Sequence, residues 1–289
     1  MKEGQLSVII PVRDDEEGLR LTLDSLACQS HVPDEVIVVW DDPSPFPRLA
    51  YPLPIRCLRG PLRGSYTARN MGASQAHSTW LWFLDAGITF GKDFIEQAML
   101  YYPCYDYLAF PVRPTPPRAL FEYYTAAYEF RFAEWFRQYH FGGAPIMILR
   151  HHFEQLGGFE ETLFSGADHE FGRRCYESGV RQGFIPHLPL YHPPRGWWAW
   201  LRKSIRIEQG KQQLRHRWPD RFGFYSSPWK GWIHASGRVA RAVLGLEVVP
   251  HLKVPLSPMR RRQVTVMAAI AEWIAKTVTL LLPRTQWNI

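Results

Sequence analysis

The sequence predicts an α/β fold with a mostly parallel central sheet flanked by helices, followed by a basic helical C-terminal extension. Short apolar runs rich in β-branched residues alternate with helical patterns, which is typical of parallel strands joined by right-handed crossovers. After about residue 195 this alternation ends, and the chain becomes basic and rich in Trp. We therefore expect one domain over residues 1–195 and a helical extension over residues 196–289.

The first strand–helix–strand unit illustrates the pattern. Leu6–Val12 and Glu35–Trp40 are predicted as buried strands. Between them, the acids of residues 14–17 mark the first turn of a helix that runs to about Gln29. Further strands are predicted at 55–59, 79–84, 107–112, 144–149 and 180–185. Further helices are predicted at 66–76, 92–101, 118–139 (one helix or a pair), 151–156, 168–178, 198–217 and 263–282, with a loop around Pro228.

Several carboxylates follow the predicted strands. Asp41 and Asp42 end one strand, Asp85 ends another, and Asp168 lies at the start of a helix. Each of them alone is explained by a helix cap or a solvated turn. Together they favour a ligand site, because open α/β sheets bind ligands at the carboxyl ends of their strands. Arg69 offers a cation for phosphate oxygens, so the set suits a nucleoside diphosphate.

A group of segments, in this order, resembles the family 2 inverting glycosyltransferases, which have the nucleotide-sugar-binding GT-A fold. The resemblance covers roughly residues 5–195 and is strongest at the Ala68–Gly72 helix start. The segments are Ser7–Glu17, Val39–Ser44, Ala68–Gly72, Phe83–Gly87, Gly157–Glu161, Ala167–Asp168 and Tyr191–His192.

The resemblance implies a role for each site residue. Asp41 or Asp42 would bind the nucleobase and ribose, with Pro11 lining that pocket. Arg69 would lie near the diphosphate, and Asp85 would contact the ribose or a divalent metal. Asp168 would be the general base that takes the proton of the acceptor hydroxyl. The implied activity is inverting transfer of a sugar from a nucleotide-diphosphate donor to a glycan or lipid-linked acceptor, as in the synthesis of cell-envelope polysaccharides.

Two departures from the family pattern leave alternatives open. Gly87 replaces the second acid of the family's DxD motif, so dependence on Mg²⁺ or Mn²⁺ is unsettled. Asp85 with His192 would hold the metal through waters, or basic side chains would replace it. Ala167 stands where an acid is usual in front of the base. The alternative function is a non-catalytic factor that binds nucleotide sugars within a polysaccharide assembly system.

The extension carries most of the positive charge. Residues 195–289 hold 17 Lys/Arg against 4 Asp/Glu, whereas residues 1–194 are mildly acidic. Such a tail suits an anionic membrane surface or nucleic acid. Since no nucleic-acid motif accompanies the charge, we expect no nucleic-acid partner.

Two parts of the extension are candidates for membrane contact. Trp197–Arg206 alternates rings with cations, which is typical either of packing onto the first domain or of a helix at a membrane interface. Residues 263–282 are barely long enough to span a bilayer and contain Glu272 and Lys276, which are placed to pair. We therefore expect in-plane association or docking in a partner rather than a crossing.

The expected location is the cytoplasm, peripherally at the inner face of the cell membrane. The chain enters its first strand directly after Gln5, without room for a signal peptide. Its four cysteines lie far apart, and we expect them to be reduced and mostly buried.

Overall fold

A computed structural model describes residues 4–140, 143, 145–247 and 256–281. The chain divides into two compact units. Unit 1 contains residues 1–113, 131–161 and 167–192, and unit 2 contains residues 114–130, 162–166 and 193–289. The second unit thus begins close to the boundary expected at residue 195, but it also includes two short segments from the earlier part of the chain.

Most of the strands and helices lie close to the predicted positions. The strands are β1 Leu6–Val12, β2 Glu35–Trp40, β3 Ile55–Arg59, β4 Trp80–Phe83, β5 Thr89–Phe90, β6 Tyr107–Ala109, β7 Val112–Pro114, β8 Ile146–Leu149, β9 Gln182–Phe184 and β10 Leu190–His192. The helices are α1 Glu16–Ala27, α2 Ser65–Ser74, α3 Phe94–Met99, α4 Glu122–Tyr128, α5 Phe132–Tyr139, α6 Arg150–Gln155, α7 Ala167–Glu177, α8 Trp197–Arg217, α9 Pro219–Phe222, α10 Pro228–Val243 and α11 Pro258–Leu281.

Unit 1 is built on a seven-stranded sheet with the order β3-β2-β1-β4-β8-β6-β9. The strands β3, β2, β1 and β4 are parallel neighbours, and β8 runs antiparallel to both β4 and β6. The predicted mostly parallel sheet is therefore confirmed. β1, β2 and β4 are buried almost throughout, which explains their continuous apolar sequences.

Helix packing on this sheet follows the sequence pattern. Leu19, Leu23 and Leu26 form the predicted apolar face of α1 and are fully buried. On α2, a Cβ atom at Gly72 would lie 2.5 Å from Cγ2 of Ile9. Only glycine therefore allows α2 to lie so close to the sheet, which fixes the position of the Arg69 side chain one turn earlier.

A smaller sheet in the order β5-β10-β7 accounts for one difference from the sequence prediction. The strand predicted at residues 107–112 is interrupted, because β6 stays in the large sheet while β7 belongs to the small one. In that sheet β10 pairs with β5 in antiparallel register, Tyr191 opposite Thr89. The predicted helix at 118–139 is the pair α4 and α5.

Unit 2 is helical, and α11 packs against both α8 and α10. α10 corrects the predicted loop around Pro228, because Pro228 is the first residue of this helix, where its missing N–H costs no hydrogen bond. α11 begins at Pro258, five residues before the predicted start; the predicted end at Leu282 lies outside the described residues.

The two charged residues in the middle of α11 are paired within unit 2. Glu272 bonds to Arg238 of α10, and Lys276 bonds to Glu208 of α8. The predicted pairing of Glu272 with Lys276 is therefore wrong, because each finds a partner on a neighbouring helix. By length and composition, α11 is the one helix among residues 4–247 and 256–281 that qualifies as a membrane span, and 39% of its apolar stretch is buried.

The cysteines are free, as expected, but their predicted burial is wrong for three of the four. Cys28, Cys57 and Cys104 are exposed, and Cys175 alone is buried. Burial raises the pKa of the Cys175 thiol to about 12, so this residue packs as a small apolar side chain.

Candidate active site

The carboxyl ends of three parallel strands meet at one edge of the large sheet. Val12 pairs with Trp40 at the ends of β1 and β2, so Asp41 and Asp42 directly follow the edge. The backbone N–H of Leu84 donates to Ile9 of β1, and Asp85 is the next residue after Leu84. The topology thus brings Pro11, Asp41 and Asp85 to neighbouring positions, as the strand pattern predicts.

Arg69 forms an ion pair with Asp85 at this edge. Helix α2 carries Arg69, whose side chain is almost fully buried, whereas 38% of the Asp85 side chain is exposed. Burial lowers the pKa of the Arg69 guanidinium, but the charges of Asp85, Tyr66 and Asp168 raise it by more. Its Nε atom has no hydrogen-bond partner among the described residues. Arg69 is therefore a fixed cation with an unused donor, which a phosphate oxygen would satisfy.

Asp168 joins this pair from α7. Its Oδ1 accepts the phenolic O–H of Tyr66 at 3.2 Å and the backbone N–H of His169 at 3.1 Å. Burial raises the pKa of the Asp168 carboxyl, and the charge of Arg69 and these two hydrogen bonds only partly offset that effect. We call Tyr66, Arg69, Asp85 and Asp168 the acid–arginine cluster. Two carboxylates and one cation therefore lie together within unit 1.

Asp41 and Asp42 differ in their surroundings. Asp41 is 2% exposed, and its carboxylate accepts the backbone N–H groups of Leu62 and Gly64 at 2.5 Å and 3.1 Å. It thereby holds the turn after β3. Asp42 is half-buried and accepts N–H groups from Asp14 and Ser44, and the bonds to Ser44 keep its pKa below the ordinary value. Of the two, Asp42 is the carboxylate that solvent reaches.

Asp85 and His192, the residues predicted to bind a metal, offer few ligand atoms. His192 ends β10, and β10 pairs with β5 a few residues after Asp85. Gly87 has a φ of 84°, a left-handed conformation that disfavours most side chains. Residues 4–140, 143, 145–247 and 256–281 contain no cluster of three or more potential ligands of the His, Cys, Asp or Glu type. Within residues 85–87, Asp85 is therefore the one carboxylate that could bind a metal. A single carboxylate suits Mg²⁺ or Mn²⁺ only where phosphate oxygens of the donor supply further ligands to the ion.

Sequence reasoning missed the residues that hold the loop at 157–161. Asn70, the neighbour of Arg69, donates to the carbonyl of Phe159 at 2.8 Å and to Glu161 at 3.0 Å, and accepts the N–H of Phe159 at 2.9 Å. A Cβ atom at Gly158 would lie 2.8 Å from the Asn70 side chain. The motif at 68–72 and the motif at 157–161 are therefore two halves of one contact.

A second set of bonds fixes the same loop from α7. Glu170 is buried and pairs with Arg174, which also donates to the carbonyl of Gly158 at 3.0 Å and to that of Leu156. The spacing of four residues between Glu170 and Arg174 signals a pair on one helix face. Tyr66 was also missed, although it lies one helical turn before Arg69. Tyr66 belongs to the acid–arginine cluster, whereas Asn70, Glu170 and Arg174 support it from outside.

Comparison with known proteins identifies related sequences. Residues 7–155, more than half of the chain, match the family described as "Glycosyl transferase family 2". Over 223 residues the chain is 25% identical to glycosyltransferase AglE of Haloferax volcanii, covering 72% of this chain and 73% of AglE.

Two solved structures share the fold. Mannosyltransferase PcManGT from Pyrobaculum calidifontis, in complex with GDP-Man and Mn²⁺, aligns with a TM-score of 0.58 and 18% identity over 96% of this chain and 87% of PcManGT. TarS from S. aureus aligns with a TM-score of 0.52 and 15% identity over 96% of this chain, which spans 55% of TarS. Residues 1–349 of TarS have been solved in complex with UDP-GlcNAc. The chain belongs to glycosyl transferase family 2 and is a glycosyltransferase with a GT-A fold.

Proposed function

We propose that the protein transfers a sugar, with inversion at the anomeric carbon, from a nucleoside-diphosphate donor to a glycan or lipid-linked acceptor. The observation that carries the proposal is the acid–arginine cluster at the carboxyl edge of the sheet. Its buried cation suits a diphosphate, and its second carboxylate, Asp168, has a raised pKa that suits proton transfer.

In the proposed reaction, an Asp168 oxygen takes the proton of the acceptor hydroxyl. The acceptor oxygen then bonds to the anomeric carbon as the bond from that carbon to the diphosphate breaks. Negative charge develops on the departing diphosphate, and we assign Arg69 to balance that charge. A cation held in place before the reaction lowers the barrier, because it need not reorganise as the charge appears.

We assign the nucleoside to the other end of the same edge. Asp42 provides a partly exposed carboxylate for ribose or base N–H and O–H groups, and we assign the lining of the same pocket to Pro11, which pairs with Val39 near the end of β1. Asp41 acts by shaping the turn at 60–64. We assign Asp85, together with the donor phosphates, to a divalent metal; such a metal supplies positive charge to the diphosphate. His192 remains a second candidate ligand.

The location follows from the acceptor proposed. The protein would bind a lipid-linked acceptor at the cytoplasmic face of the cell membrane, where anionic lipids attract basic segments such as residues 195–289. The charge excess of residues 195–289 supports peripheral association there. The proposed pathway class is synthesis of a cell-envelope polysaccharide.

A thermal-shift screen of nucleotide sugars, with and without Mn²⁺, tests the donor class, and release of nucleoside diphosphate tests turnover. We expect one donor to raise the melting temperature. Asp168→Asn should keep that shift but lose turnover by about 10²–10⁴-fold, whereas Asp93→Asn, an exposed acid of unit 1, should change neither.

Two results would contradict the proposal. If no nucleotide sugar stabilises the protein, the donor assignment is wrong. If a donor binds but neither the natural protein nor Asp168→Asn turns it over with any glycan or lipid-linked acceptor, the alternative of a non-catalytic binding factor in polysaccharide assembly is favoured. That alternative draws its support from Gly87 and Ala167.

A further inference from the structure

The tryptophans of α8 that the sequence offered for a membrane interface mostly pack inside unit 2. Trp197 donates its indole N–H to the carbonyl of Met267 on α11 at 3.0 Å. The ring of Trp200 meets the edge of Tyr124 with centroids 5.9 Å apart. Both rings belong to a cluster around Phe121 and Val264. Trp198 is exposed, so α8 presents one large aromatic ring to solvent rather than a continuous row of apolar side chains.

α10, the helix that sequence analysis missed, presents such a row of exposed apolar side chains, which we call the α10 stripe. Trp229, Ile233, Ala240 and Leu244 recur at intervals that place them on one side of the helix, and all four are exposed. The exposed fractions are 58% for Trp229, 52% for Ile233 and 68% for Leu244. The opposite side is buried at Gly231, Ala235 and Ala242, and at the flank of the stripe Trp232 donates its indole N–H to Thr277 of α11 at 3.1 Å. The exposed side is therefore fixed in its orientation within unit 2.

Cations border this stripe. Lys230 is exposed on the same helix, next to Trp229. At the other end, Arg262 donates to the carbonyl of Val243, which brings the start of α11 to the end of α10. Exposed Met259 and Arg260 belong to that start.

Acidic charge is nearly absent from this region. Residues 228–262 contain seven Lys/Arg and one acid, Glu247. Glu247 forms ion pairs with Arg238 and Arg241. The segment therefore has a net positive charge, and Lys230, Arg260 and Arg262 are exposed on it. A partner that complements this surface is anionic and has an apolar layer beneath its charged groups.

We infer that α10 lies in the plane of an anionic phospholipid bilayer, with Trp229, Ile233 and Leu244 at the acyl boundary and Lys230, Arg260 and Arg262 at the lipid phosphates. An interfacial helix combines these features: an apolar stripe, a large aromatic ring and cations on the polar border. The inference deepens the peripheral location in the proposed function and rests on it for the biological setting. It does not depend on the transfer chemistry.

Co-sedimentation of the full chain with vesicles tests this surface. We expect binding to vesicles of phosphatidylglycerol and phosphatidylcholine but weak binding to phosphatidylcholine alone, with binding falling as salt rises. The double variant Trp229→Ala, Ile233→Glu should weaken binding at least about tenfold, because each change removes a large apolar contact with lipid. Trp198→Ala, which removes an even more exposed ring from α8, is the control and should bind as the natural protein does.

Three results would overturn the inference. The first is no binding to anionic vesicles, and the second is equal loss of binding in the Trp198→Ala control. The third is a concentration-dependent dimer in sedimentation velocity that the α10 double variant abolishes while vesicle binding persists, which would make the stripe a surface for a second copy of the chain. Donor-induced thermal shifts, measured on the same variants with a water-soluble nucleotide sugar, should be unchanged. A missing shift in the natural protein would instead count against the proposed function.

Discussion

The hydroxyl of Tyr66 donates a hydrogen bond of 3.2 Å to Oδ1 of Asp168, and this bond joins two residues separated by 102 positions in the chain. It favours the ionised form of Asp168, whereas burial favours the protonated form and dominates. Tyr66 is therefore a positioning residue for the proposed base, since it both orients the carboxylate and limits the rise of its pKa.

Tyr66→Phe should shift the acidic limb of the pH–rate profile. Loss of the hydrogen bond raises the pKa of Asp168 further, and a base works only when it is deprotonated. The limb should therefore move to higher pH, by about one unit, with a smaller effect on the rate at alkaline pH. The measurement is kcat against pH. Tyr101→Phe, which removes a hydroxyl bonded to His187 at 3.0 Å elsewhere in unit 1, is the control. A uniform loss of rate at every pH would count against this role.

Asp85→Asn should affect both stability and metal response. It leaves the buried Arg69 without its nearest anionic partner. Because 38% of the Asp85 side chain is exposed, solvent screens part of the loss, and we expect about 1 kcal/mol of lost stability. Any extra donor stabilisation by Mn²⁺ should also disappear. Chemical denaturation and thermal shifts measure the two effects, and a Mn²⁺ response equal to that of the natural protein would rule out Asp85 as the ligand.

Asn70→Ala should destabilise unit 1. It removes two donated hydrogen bonds and one accepted from Phe159, and leaves the N–H of that residue without this partner. At about 1 kcal/mol for each bond, the expected loss is about 2–3 kcal/mol in urea denaturation. Gln75→Ala, an exposed amide just after the same helix, should change stability by less than about 0.5 kcal/mol. Equal effects of the two variants would contradict the role given to Asn70.

Lys276→Met should weaken the packing of α11 in unit 2. Burial raises the pKa of Glu208, but Lys211 and Lys276 lower it by more, so the folded pKa lies below the ordinary value. A carboxylate of that kind stabilises the fold above a pH of about 4.3 and loses this contribution as the pH falls. We expect Lys276→Met to cost about 2 kcal/mol near neutral pH and to reduce the acid sensitivity of unfolding followed by circular dichroism. Gln263→Met, at an exposed position of the same helix, is the control. An unchanged stability would mean that α11 does not depend on this ion pair.

Much of the fold could be predicted because its signals are local. β1, β2 and β3 were predicted with their observed bounds. For β1 and β2 the reason is that a continuous apolar run between turn residues needs no information from elsewhere in the chain. The interruption between β6 and β7 could not be predicted, because apolar residues continue through it and the choice of sheet depends on distant partners. α10 was missed because Pro228 was treated as a breaker rather than as a first helical residue.

Local patterns were enough to predict the α/β class, the order of the strands along the chain, and which acids follow them, because hydrophobic periodicity and turn residues act over a few positions. Three-dimensional packing was needed to establish that Arg69 pairs with Asp85, that Asn70 holds Phe159, that Asp41 is buried while Asp42 is partly exposed, and that Glu272 pairs with Arg238 rather than with Lys276. These partners lie far apart in the chain. Which of them meet is set by the packing of whole helices and strands, and no local pattern encodes it.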